Sequence, residues 1–219
     1  MPSNENNKVL QKTLQAKGIL FYQRKEYEAA ISALIACINV EPSFLAYRFL
    51  GLSFWQTDKL DEAIRALLKS NSIKDYHYCY HVLARCYYSK TEYLLAKKAA
   101  QKSLESNPDH PTYKKLYGCI LNKLGQHKEA IAALEASTNS IKDWFSYLQM
   151  GLSYLAVNDL DKALISLNFA HTFAVAEKPL VFKGLSICHE QLGEVAKSLD
   201  DAYRYAKIDK SEESNHFYQ

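Results

Sequence analysis

The thirteen residues Gly51–Ala63, GLSFWQTDKLDEA, return one hundred positions later at Gly151–Ala163 as GLSYLAVNDLDKA. Gly-Leu-Ser, an aromatic residue and Leu-Asp-x-Ala keep the same offsets. Self-similarity of this kind means stacked copies of one supersecondary unit, so the frame must also exist in between. It does: a small residue recurs at Gly18, Gly51, Ala84, Gly118, Gly151 and Gly184, in steps of 33, 33, 34, 33 and 33. Twelve positions after each lies Ala30, Ala63, Ala96, Ala130, Ala163 and Ala196, and three positions after each lies a large apolar residue.

Within each repeat the apolar spacing is helical. Leu10, Leu14, Gly18 and Phe21 form one stripe, and Tyr27, Ala30, Ile31, Leu34 and Ile38 form a second beyond the polar turn Arg24–Glu26. The same pair of stripes follows in every repeat, and no segment reads as a strand. Pro42 stops one helix, while Pro111 and Pro179 fit the first turns of others. Ser43, Asp58, Asp75 and Thr91 are expected as N-terminal caps. Five of the seven glycines are the small residue of a first helix; Gly125 and Gly193 fall in turns, which leaves no glycine-rich phosphate loop. The sequence therefore predicts an all-α solenoid of six tandem helix–turn–helix repeats over residues 8–208. Residues 1–7 are expected to be disordered, the sixth repeat to start near Glu177, and residues 209–219 to form a polar C-terminal tail.

Bulk properties narrow the function. The chain is 48% hydrophobic and 23% charged, which is core-forming rather than disordered. A net charge of +3 without a basic stripe argues against nucleic acid as partner. No secretory signal or membrane-length apolar stretch is visible. Five cysteines with no CxxC then read as buried thiols of a cytoplasmic protein. His77-x-Cys79-x-His81 places two histidines four apart, but no further metal ligands accompany them. His189-Glu190 begins a zinc-protease motif that Gly193 breaks. No catalytic constellation, cofactor site or metal site emerges, so no enzyme is expected.

The repeat is similar to the tetratricopeptide repeat, a 34-residue helix–turn–helix. Tyr47, Leu50-Gly51 and Phe54 match its first helix; Ala63, Leu67 and Ser70 match its second; Pro42 and Pro108 match its closing proline. The resemblance implies a right-handed superhelix whose concave groove, lined by the first helix of each repeat, binds an extended segment of another protein. Groove positions carried over from the family pattern are Tyr22, Arg48, Leu52, Trp55, Tyr78, His81, Arg85, Tyr88, Lys115 and Asn122. This expected groove is aromatic and cationic and contains no carboxylate, which suits an acidic peptide with apolar anchors in an adaptor or chaperone-like protein. The carboxylate clamp of family co-chaperones is not reproduced: its positions read Gln15, Ile19, Phe49, Tyr78 and Val82. The alternative is a scaffold or self-associating subunit, a homo-oligomer built through the convex face or the edges. Lys17, Lys183, Lys197 and Asp200 stand where inner repeats carry apolar residues, which reads as polar capping of both ends and leads to the expectation of a finished solenoid over residues 8–208.

Overall fold

A computed structural model describes residues 4–176 and 178–216. Glu177, within the expected start of the sixth repeat, lies outside the described residues, as do Met1–Ser3 and the tail residues Phe217 and Tyr218. Among the described residues there are twelve helices and no strand. They are α1 (Asn4–Gln23), α2 (Tyr27–Val40), α3 (Phe44–Gln56), α4 (Leu60–Ile73), α5 (His77–Ser89), α6 (Tyr93–Ser106), α7 (Pro111–Lys123), α8 (His127–Thr138), α9 (Trp144–Ala156), α10 (Leu160–Phe173), α11 (Pro179–Gln191) and α12 (Val195–His216). Helix α1 begins ahead of the expected Lys8, and α12 runs on through the segment read as tail. The fold is an all-α helical-repeat solenoid. It divides into two compact units, one up to Pro108 with α1–α6 and one from Asp109 with α7–α12, each holding three helical hairpins.

In the first, second, fourth and fifth hairpins the first helix, helix A, packs against the second, helix B, through the glycine of the frame. A Cβ added at Gly51 would stand 2.6 Å from Leu67 Cγ, and Gly18, Gly118 and Gly151 meet Leu34, Leu134 and Leu167 in the same way. Any larger residue there forces the leucine out of place, which explains a mid-helix glycine despite its cost of about 1 kcal/mol. In the N-terminal unit the resulting core joins Ala30, Ile31, Leu34 and Cys37 of α2 to Ala46 and Leu50 of α3 and Ala66 of α4. All five cysteines are buried, and burial pushes their thiols up, to about 12 for Cys86 and Cys119.

The A–B turns correct part of the cap assignment. Lys25, Asp58, Thr91 and Asn158 have φ values of 58° to 63°, and Gly125 and Gly193 share the left-handed conformation. The following N–H reaches back to helix A, as in Lys59 N to Phe54 O at 2.9 Å and Glu92 N to Tyr87 O at 2.9 Å. These are helix-terminating motifs that satisfy the last carbonyls of helix A. Asp58 and Thr91 therefore end one helix instead of capping the next. Asp75 accepts the Tyr80 hydroxyl at 2.7 Å, and the cap position of α5 is Tyr76. Ser43 caps as expected, accepting from Ala46 N at 3.2 Å.

The sixth repeat departs from the sequence frame by two residues. Helices α3, α5, α7, α9 and α11 are each 13 residues long, and in the first four the small residue is the eighth. In α11 the eighth residue is Ser186, not Gly184. Gly193 follows Ser186 by seven positions, as Asp58 follows Gly51. Ser186 Oγ donates to Ser198 O at 3.0 Å across its own hairpin, whereas a Cβ on Gly184 would meet Leu167 of the preceding helix B at 2.8 Å. The expected buried stripe Ala196, Leu199 and Tyr203 consequently faces outward. Lys197 and Asp200 do not occupy the inner-repeat core positions, so they do not cap this end.

Candidate protein-interaction surface

The groove positions of helix A lie three before the small residue, one after it and four after it; they are partly exposed in some repeats and buried in others, as at Leu52, His81, Cys119 and Leu148. In the N-terminal unit these place Tyr22, Arg48, Trp55 and Arg85 on one face, with Tyr78 and Tyr88 on α5. Arg48 lies between aromatics, its guanidinium 4.4 Å from the Tyr76 ring centroid and 5.2 Å from that of Phe49. Tyr22 meets Phe49 edge-on at 5.3 Å. Burial raises the Tyr22 pKa, and Tyr78 and Tyr27 raise it further, while Gln56 and Arg48 oppose them. Side chains from α1, α3 and α5 thus converge on one patch. Arg85 stacks over Trp55 at 4.4 Å.

A guanidinium held over a ring is attracted to its face and keeps N–H groups that can donate elsewhere. Among the described residues neither arginine has a carboxylate partner, and Arg48 Nε is buried without a hydrogen bond. Four other cations of this unit are paired: Lys59 with Glu28 at 2.8 Å, Lys102 with Glu105 at 2.8 Å, Arg65 with Glu62, and Lys90 with Asp61 and Glu92. The patch is therefore preorganised for an anionic group beside an apolar or aromatic one.

Two expected groove residues contribute no surface. Leu52 is 2% exposed and His81 4%, both packed into the core, with His81 stacked on Tyr78 at 6.1 Å. Lys115 and Asn122 belong to the C-terminal unit and are engaged there. Lys115 Nζ donates to Asp143 Oδ1 at 2.7 Å, so a carboxylate is present where none was expected. Burial acts to raise the Asp143 carboxyl, but hydrogen bonds from Lys115 and Ser146 outweigh it and the pKa is lowered. Asn122 Nδ2 donates to Gln149 O at 3.0 Å, and its Oδ1 accepts from Ser153 Oγ at 2.6 Å.

Tyr76 and Phe49 are the contributors that periodicity missed. Tyr76 sits just outside α5, off any helical stripe. A register signal exists, because the residue three before one small position meets the residue eight before the next. Gln15 accepts from Ser43 at 2.7 Å, Arg48 stacks on Tyr76, and Lys115 pairs with Asp143.

Among the described residues no group of three His, Cys, Asp or Glu is arranged to hold a metal. His189 Nδ1 lies 2.8 Å from Asp201 Oδ2, which ties α11 to α12. No described helix is long and apolar enough to cross a membrane.

The tetratricopeptide repeat family model matches residues 16–70 and 81–143, more than half of the chain. The chain belongs to the tetratricopeptide repeat family. Similar solved structures include MamA, residues 41 to the end, from Desulfovibrio magneticus RS-1, at 19% identity and a TM-score of 0.71, covering 77% of this chain and 96% of that one. Pseudomonas aeruginosa PilF matches at 12% identity and a TM-score of 0.72, covering 93% of each chain. A tetratricopeptide repeat protein from Parabacteroides merdae matches at 16% identity and a TM-score of 0.74, covering 91% and 80%. At these identities the likeness establishes the fold. A comparison with curated protein sequences returned no match. The tetratricopeptide fold is that of a protein–protein interaction module, and its members are generally non-catalytic.

Proposed function

We propose that this tetratricopeptide repeat protein is a non-catalytic adaptor whose N-terminal unit binds an extended segment of another protein. The segment carries a carboxylate for Arg48 or Arg85 and an apolar or aromatic side chain for the rings of Tyr22, Tyr78 and Trp55. One observation carries the reading: two arginines, each 4.4 Å over an aromatic ring and with no carboxylate partner among the described residues, lie on one aromatic face of the N-terminal unit. Charge-assisted bonds to a carboxylate, next to rigid aromatic anchors, are the usual source of binding energy on such a face. Five buried thiols suit a reducing, cytoplasmic setting.

Peptide display on the immobilised protein tests this. Wild type is expected to enrich sequences that pair an acidic residue with an apolar or aromatic one, and the Arg48→Glu, Arg85→Glu double variant is expected to lose them. Enrichment of the same sequences by both proteins, or of sequences without acidic residues, contradicts the reading.

A further inference from the structure

Arg48 over Tyr76 and Arg85 over Trp55 form two cationic seats, and the helices that carry them set the distance between them. Trp55, the platform of Arg85, follows Arg48 on α3 by seven residues. At 1.5 Å per residue that is about 10.5 Å along the helix. Tyr76, the platform of Arg48, precedes Arg85 by nine residues at the start of α5, or about 13.5 Å. Either route therefore puts the seats about 10–14 Å apart. The span between them is aromatic. The Tyr22 ring meets Phe49, the chain neighbour of Arg48, edge-on at 5.3 Å. The Tyr22 hydroxyl is hydrogen-bonded to Gln56, the chain neighbour of Trp55. Tyr22 thus reaches from one seat towards the other, and Tyr78 lies close enough to raise its pKa.

A segment that engages both seats must hold two carboxylates at that spacing on one face. In an extended chain side chains alternate, so residues i, i+2 and i+4 share a face. Residues i and i+4 lie about 13 Å apart at 3.3 Å per residue, which fits. Residues i and i+2 cover only about 7 Å, and i and i+3 point to opposite faces. We propose that the segment recognised is an extended acidic–x–apolar–x–acidic run. Its first and fifth side chains pair with Arg48 and Arg85, in either order, and its third packs on Tyr22 and Tyr78. The motif rests on the adaptor reading of this patch and adds to it a second acid, a spacing and a place for the apolar anchor. The rival is a helical segment with acids seven residues apart, which covers about 10.5 Å. An isolated helix that short is marginal in water, so forming it on the patch would cost binding energy that an extended segment keeps.

Fluorescence anisotropy of labelled peptides on the full chain tests the spacing with the wild-type protein. The parent peptide is Gly-Ser-Glu-Ser-Leu-Ser-Glu-Ser-Gly with both ends blocked, so its two carboxylates are its only charges. Replacing either Glu by Gln should weaken binding about tenfold or more, since each seat makes a charge-assisted bond. Peptides with the acids two, three or seven residues apart should bind no better than a single-acid peptide. Moving the leucine one position, onto the opposite face, should also weaken binding several-fold. Arg48→Gln should make one of the two acids dispensable, and Arg85→Gln the other. A single-acid peptide, or one with acids two, three or seven apart, that binds as tightly as the parent overturns the motif while leaving the patch an acid-binding site. A parent peptide that binds no better than one with both acids replaced overturns the motif and the adaptor reading together.

Discussion

Arg48 in α3 and Lys115 in α7 occupy the same position of the repeat, three residues before the small residue, and they end in opposite conditions. Lys115 reaches forward to the residue eight before the next small position and finds Asp143, a part-buried partner at 2.7 Å. Arg48 reaches to the same place and finds the ring of Tyr76. The first contact neutralises a cation and ties two repeats together. The second orients a cation and leaves its charge available. A repeat frame thus fixes where side chains meet, while the chemistry of one residue outside the helix decides whether the meeting is a clasp or a site.

The largest expected effect follows from removing the available charges. Arg48→Glu with Arg85→Glu should weaken the selected peptide by about 100-fold or more, because bonds to charged groups contribute roughly 1.5–3 kcal/mol each. Fluorescence anisotropy reads this, and an unchanged melting curve separates it from unfolding. Next comes Tyr76→Asp, which copies the C-terminal unit's clasp into the N-terminal one. By giving Arg48 a carboxylate of its own it should weaken binding about tenfold. If peptide affinity is unchanged, the comparison between the two positions fails.

The converse change is smaller and concerns stability. Asp143→Asn keeps a side chain able to cap α9 but removes the ion pair, and should cost about 1 kcal/mol at neutral pH in urea denaturation. The carboxyl pKa is lowered in the folded protein. The pair's contribution is therefore complete above the ordinary aspartate value of about 3.9 and is lost as pH falls through the lowered folded value. Variant and wild type should converge there; a gap that persists would mean Asp143 acts through packing alone. Smallest is Arg48→Lys, which keeps charge but loses the guanidinium's fork of donors over Tyr76, and should weaken the peptide only about threefold by titration.

Most of the fold was legible because five repeats share one frame, set by Gly18, Gly51, Ala84, Gly118 and Gly151. The sixth misled because Gly184 and Ala196 repeat the spacing by coincidence, while the link between α10 and α11 holds the extra residues. The signal was the turn glycine: Gly125 precedes Ala130 by five positions, but Gly193 precedes Ala196 by three. Correcting that slip is what turns Ala196, Leu199 and Tyr203 from expected core into exposed surface. The candidate site was partly legible. Arg48, Trp55 and Arg85 followed from helical spacing. The position one after the small residue is ambiguous, since it lies between core and solvent and goes to whichever its chemistry favours. Leu52 turns in, whereas Arg85 turns out. Tyr76 was invisible to periodicity because it belongs to an inter-helix link.

The most direct test of the arginine patch is NMR of the Arg Nε–H resonances while the selected acidic peptide is titrated in. The chain has five arginines, at 24, 48, 65, 85 and 204, so the signals are few enough to assign by single substitution. The account predicts that the Arg48 and Arg85 signals move together with peptide saturation while those of Arg65 and Arg204 stay. Saturable binding that leaves Arg48 and Arg85 unmoved would contradict it.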